Sequence, residues 1–189
     1  MSIRLLVAGA AAAAFLFAPV AQAAVDINAQ LVNNPAADQW DVSGTDQTHK
    51  LLKDDQVNGG SALQIDTTKI GSNPWDVQAG IKTSKAIKKG DVVLLAFWAR
   101  AITPETIKVP ALIQQSAAPY TPLTTENLTI SSDWKLYYVN ATADKDYPAE
   151  SANATLHLAL NTQSIALGPV FLLDFGPGYD VKFLPRNIP

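Results

Sequence analysis

After its first two dozen residues, the sequence is a succession of short apolar runs punctuated by glycine, proline and asparagine turns. None of those runs carries the 3.6-residue period of a long amphipathic helix. Asp91 to Ala101 is the longest, an almost unbroken apolar stretch that reads as a central strand buried on both faces. Ser61 to Asp66 alternates, with Leu63 and Ile65 on one face and Ala62, Gln64 and Asp66 on the other. Further strands are expected at Ile107 to Gln115, Trp134 to Thr142, Ala154 to Asn161 and Gly168 to Phe175. Turn chemistry separates them: Asn58-Gly59-Gly60, Lys88-Lys89-Gly90-Asp91, Ser131-Ser132-Asp133 and Gly176-Pro177-Gly178. Strands at this spacing without crossover helices predict an all-β fold, a two-sheet antiparallel sandwich or jelly roll. The end, Leu184 to Pro189, reads as a loosely held tail.

The first residues are of another kind. Arg4 precedes an alanine-rich apolar run from Leu5 to Val20, and Ala21-Gln22-Ala23 is a small-x-small cleavage site. That pattern predicts a secretory signal peptide over residues 1–23 and a single mature domain over 24–189, secreted or periplasmic. The run is short for a membrane anchor, and no positive stop-transfer flank follows it, so no membrane insertion is expected after cleavage. With no cysteine, stability must come from the apolar core rather than a disulfide framework. The formal net charge of −3 becomes more negative once Arg4 is removed. Such a chain lacks the basic footprint of a nucleic-acid or anionic-membrane binder.

The order of landmarks carries a resemblance. Trp40 comes early; Gly59-Gly60-Ser61-Ala62-Leu63-Gln64-Ile65 forms a turn and strand; Pro74-Trp75-Asp76-Val77-Gln78 follows. Lys89-Gly90-Asp91 opens the strand ending Phe97-Trp98-Ala99-Arg100-Ala101. Then come Gln114-Gln115, Pro119-Tyr120 and Asp133-Trp134-Lys135-Leu136-Tyr137-Tyr138. This series resembles carbohydrate-binding modules of the family 4/9 type, with the related family 22. The resemblance covers nearly the whole mature chain and implies a galactose-binding-like jelly roll. It departs at both ends. Asn33-Asn34-Pro35 stands where the family opens with asparagine-glycine-phenylalanine-glutamate, and the last strand reads Phe171-Leu172-Leu173-Asp174-Phe175. Those strands often hold a structural calcium in such modules. The departures speak against it here and leave Asp174 as the one candidate ligand; no cofactor is expected.

Sugar recognition needs a flat ring for the hydrocarbon face of a pyranose and planar polar groups for its hydroxyls. Trp75, at a loop-to-strand junction and at the family's sugar-stacking position, is the first candidate. Tyr120 sits in a loop stiffened by Pro119 and Pro122. In Ala154 to Leu160, Leu156, Leu158 and Leu160 are expected in the core, with Thr155, His157 and Ala159 opposite. His157 could then donate to one hydroxyl and accept from another. Gln114 and Gln115 point to opposite faces, so one of them should reach the ligand. Gln78, Asp76, Asn140 and Thr142 are further candidates. Trp40, Trp98 and Trp134 read as structural, and Arg100 as half of an ion pair at a strand end.

Catalytic patterns are sparse. There is no thiol, and neither His49 nor His157 has metal-ligand spacing. No nucleophile elbow or phosphate-cradling glycine loop occurs. Asp54 and Asp55 read as solvated loop acids, and Asp144, Asp146 and Glu150 as a polar hairpin. The sequons at Asn127, Asn140 and Asn153 read as chance. The expectation is non-catalytic binding of a polysaccharide or oligosaccharide in a concave cleft. Two alternatives stand beside it. One is a secreted scaffold on the same sandwich. The other is a jelly-roll lyase or hydrolase, using His157 with Tyr120, Tyr137 or Tyr138 if it is a lyase.

Overall fold

The computed structural model describes residues 26–187. The signal peptide expected over residues 1–23 lies outside the described residues. A short helix α1 (Ile27–Gln30) leads into ten strands among the described residues: β1 (Asp41–Ser43), β2 (Gln47–Lys53), β3 (Ser61–Thr67), β4 (Gln78–Lys82), β5 (Asp91–Thr103), β6 (Thr106–Gln115), β7 (Pro122–Ser131), β8 (Lys135–Thr142), β9 (Ala152–His157) and β10 (Gln163–Pro177). They form two five-stranded antiparallel sheets. The first runs β1-β4-β9-β6-β7 and the second β2-β3-β10-β5-β8. This is the all-β sandwich that the alternating runs predict.

The core lies between the sheets. β5 sends Val93, Leu95, Phe97, Ala99 and Ala101 into it, where they meet Ile113, Leu156 and Leu172. Trp40 closes one side: its ring stands edge-on to Phe97, and its Nε1 donates to the Gly168 carbonyl at 3.0 Å. Gly168 has no room for a side chain, since a Cβ there would lie 2.6 Å from Val57 Cγ2 and 2.9 Å from Trp98 Cβ.

Val92, Leu94 and Ala96, the alternate residues in the first half of β5, are also buried, because other segments cover that part of the second sheet's outer face. Val92 and Leu94 pack with Leu173, Leu184, Phe175 and Tyr179. Trp98 and Trp134, read from sequence as structural, lie half-buried on this outer face with Val57, Ala62 and Ala166. Asp54 is not a solvated loop acid. Its Oδ2 accepts from Arg100 Nη2 at 3.1 Å and from Trp134 Nε1 at 3.2 Å, while the Arg100 guanidinium lies over the Trp134 ring. A charge leaving a buried strand needs such a partner, and the partner comes from the loop 54–60.

The tail is not loose up to Asn187. Leu184 is buried, and the Asn187 side chain bonds both the N–H and the carbonyl of Tyr138 on the edge strand β8. β9 also ends sooner than its leucines suggest. After His157 the chain folds inward, Leu158 N donating to Val77 O and Ala159 N to Pro74 O. Ala159 is therefore buried and Leu160 exposed, the reverse of strict alternation.

Candidate functional site

The outer face of the first sheet is uncovered. The antiparallel register sets three ranks of side chains across it, because every second residue of each strand points the same way. Ser43, Gln78 and His157 form one rank. Asp41, Gly80, Thr155 and Leu112 form the middle one. Lys82, Asn153, Gln114 and Pro122 form the third. All of them line one open cleft of about 1100 Å³.

Trp75 and Tyr120 also line this cleft, 54% and 57% exposed. Trp75 sits in a tight turn, Pro74–Asp76. The Asp76 carboxylate accepts from the Asn73 backbone N–H at 2.9 Å and from its side-chain amide at 3.3 Å. The backbone bond holds the Asp76 carboxyl below its ordinary pKa. Asp76 thus braces the turn and is not among the residues lining the cleft, contrary to the expectation that it reaches the ligand. Tyr120 has a left-handed backbone, φ 55°, and its N–H donates to Ala117 O at 2.8 Å. A non-glycine residue in that region is strained, and the surrounding loop must hold it there. Gln115 does part of that holding: its backbone N–H bonds Thr121 O, its amide nitrogen bonds Ala118 O, and its amide oxygen accepts from Lys145 Nζ.

Between the rings lie polar groups with free capacity. His157 stands edge-on to Trp75, ring centroids 6.0 Å apart. Burial pushes its pKa below the ordinary histidine value, so at neutral pH the ring offers one donor and one acceptor. Thr155 Oγ1 lies 3.2 Å from Gln78 Oε1 and donates toward it, which leaves the Gln78 amide hydrogens for a ligand. Gln114 is only 7% exposed, yet among the described residues its side-chain amide has no hydrogen-bond partner. Asn153 Oδ1 is fully buried and unpartnered.

No protein-family model and no curated protein sequence matches this chain. Solved structures do. A structure described as CBM4 superposes with TM-score 0.54 at 22% identity, covering 72% of this chain and 95% of its own. The second N-terminal cellulose-binding domain of Cellulomonas fimi β-1,4-glucanase C gives TM-score 0.57 at 16% identity, over 77% of this chain and 94% of its own. The CBM22-1 xylan-binding domain of Paenibacillus barcinonensis Xyn10C gives 0.54 at 9%, over 77% and 91%. The fold is that of a carbohydrate-binding module.

Within this module fold, Trp75, Tyr120, His157, Gln78 and Gln114 come together in one cleft. Gln115 and Asn140 do not. Gln115 faces away, as one of two consecutive strand residues must. Asn140, with Thr142, belongs to β8 of the second sheet, and lines a separate hollow of about 340 Å³ with Glu126, Tyr138 and Asn187. Asp174, paired across the second sheet with Val93, lies against Asp91 and accepts from Gly176 N. Among the described residues no group of three metal-ligating side chains gathers there or elsewhere. Sequence reasoning did not single out Gly80, Lys82, Leu112, Asn153 and Thr155 as cleft residues. Counting back by twos from His157 reaches Thr155 and Asn153, and counting on from Gln78 reaches Gly80 and Lys82.

Asp41 is the carboxylate of the cleft; Asp144 and Asp146 are engaged by Tyr147 and by Lys88 and Lys89. His157 meets the Trp75 ring, and among the described residues no tyrosine hydroxyl lies within hydrogen-bond distance of it.

Proposed function

We propose that this chain is an exported, non-catalytic module that binds a polysaccharide or oligosaccharide in the cleft on its first sheet. One observation carries the reading: two exposed rings, Trp75 and Tyr120, share the cleft with the Gln78 amide nitrogen, the Gln114 amide and the His157 ring, which have no hydrogen-bond partner among the described residues. The rings take the hydrocarbon faces of the sugar. Gln78, Gln114 and the neutral His157 take its hydroxyls.

The magnitudes are consistent with modest affinity. A sugar face covering roughly 60 Å² of ring contributes about 1.5 kcal/mol, so two rings give about 3 kcal/mol. Each hydrogen bond adds about 1 kcal/mol net, against the entropy of immobilising the ligand. Binding without cutting fits a cleft that presents one carboxylate rather than the pair a glycosidase uses. Export rests on the leader pattern of residues 1–23.

Affinity electrophoresis against soluble xylan, β-glucan, cellulose derivatives and alginate tests the proposal, with Trp75→Ala as control. Retardation by at least one polysaccharide, lost in the variant, is the expected result. Unchanged mobility on all of them removes the reading for those ligands.

A further inference from the structure

The three ranks of the cleft differ in charge. Asp41 and Lys82 are its charged side chains. Asp41 sits on the outermost strand β1, in the middle rank. Lys82 sits on β4, in register with Asn153 and, through it, with Gln114. Among the described residues Lys82 forms no ion pair within 4.0 Å, with Asp41 or with any other carboxylate.

The groups beside Lys82 are amides, which can donate as well as accept. Gln114 is nearly buried, and its amide is unused. Asn153 has its oxygen buried and without a partner among the described residues, and its amide nitrogen close to the floor at Gly80. Ser84 and Ser116, at the same end of the cleft, already donate their hydroxyl protons to Val32 O and Glu150 O. This bank therefore offers an ammonium and two carboxamides, each with an NH₂ to donate and an oxygen to accept, in line across three strands. Neutral hydroxyls can use the amides, but an unpaired ammonium at the end of such a row is matched best by an anion that accepts several hydrogen bonds at once. The opposite bank, Ser43, Gln78 and His157, is uncharged.

We infer that the glycan held in this cleft carries a carboxylate, as in a uronic-acid residue, and that Lys82 with Asn153 and Gln114 receives it. The inference rests on the glycan-binding reading above and narrows it. It makes Lys82 a specificity-determining residue, while Trp75 and Tyr120 serve acidic and neutral sugars alike.

The experiment compares matched ligands in affinity electrophoresis and calorimetry: polygalacturonate, alginate and glucuronoxylan, each against its methyl-esterified form. Esterification removes the charge and keeps the rings and hydroxyls. The expected result is that at least one acid form binds about fivefold tighter than its ester, the size of a partly exposed charge contact. That preference should shrink toward unity in Lys82→Met and in about 0.5 M salt, where screening is strong. Trp75→Ala should lose both forms. Circular dichroism and thermal melts of Lys82→Met confirm that the exposed substitution leaves the fold intact. Trp75-dependent binding with no preference for the acid overturns the inference and leaves the glycan-binding reading standing. So does an acid preference that persists in Lys82→Met. No binding to any ligand, charged or neutral, overturns both.

Discussion

The two sheets present outer faces built from the same materials and put to opposite uses. Each carries tryptophan, a basic residue and polar side chains. On the second sheet these groups are committed to one another: Asp54 ties Arg100 to Trp134, Gln64 and Ser164 both donate to Asp66, and the tail seals Val92 and Leu94. On the first sheet the equivalent groups are left open: Trp75 and Tyr120 are exposed, and among the described residues Lys82 has no ion pair and the Gln114 amide no hydrogen-bond partner. An aromatic residue on a sheet therefore says little about binding. Whether its polar neighbours are already satisfied says more.

The sharpest break of this contrast is Trp98→Ala. It removes a large half-buried ring from the covered face and should cost about 3 kcal/mol of stability in chemical denaturation, with ligand retardation unchanged. Asp54→Ala comes next. It strips Arg100 and Trp134 of a shared, largely buried acceptor and should cost about 2 kcal/mol in the same measurement. Trp75→Ala should do the reverse. Its stability change should stay within about 0.5 kcal/mol, while glycan affinity falls at least about tenfold, or ~1.4 kcal/mol.

Two smaller effects depend on pH. Burial, and then the neighbouring Asp91 carboxylate, raise the pKa of Asp174 above its ordinary value. The protonated form is thus favoured by folding. Its contribution is complete below the ordinary carboxylate pKa and is lost as pH rises through the raised value. Asp174→Asn should therefore raise the melting temperature at neutral pH, and the gain should vanish on acidification. For His157 the sign is opposite. Its folded pKa is lowered by burial, so stability falls as pH drops below the ordinary histidine value and levels off below the lowered one. His157→Gln should flatten that arm of the melting curve and leave the neutral-pH value almost unchanged.

Much of the sandwich was legible because burial imposes strong patterns. β5 and β6 read directly from their apolar runs, and β3 from its alternation. β2 and β7 did not stand out. β2 is an edge strand exposed on both faces, so no hydrophobic period marks it. β7 is also an edge strand and has only Leu128 and Ile130 fully buried. At the site, sequence showed which residue types suit a sugar but not which sheet holds them. Asn140 and Gln78 look equally suitable as strand residues, yet they fall on different sheets. Asp54 looked like an ordinary loop acid because its partners, Arg100 and Trp134, lie far along the chain. Pairing across sequence distance is the information that composition and periodicity do not carry.

The most direct measurement follows the indole N–H signals of the four tryptophans by NMR during a polysaccharide titration. Trp40 and Trp134 have their indole N–H groups bound to Gly168 O and Asp54, and Trp98 lies under the covered face. The expected result is a large shift of the Trp75 indole signal alone. Movement of Trp98 or Trp134 with Trp75 fixed would place binding on the wrong sheet and contradict the account.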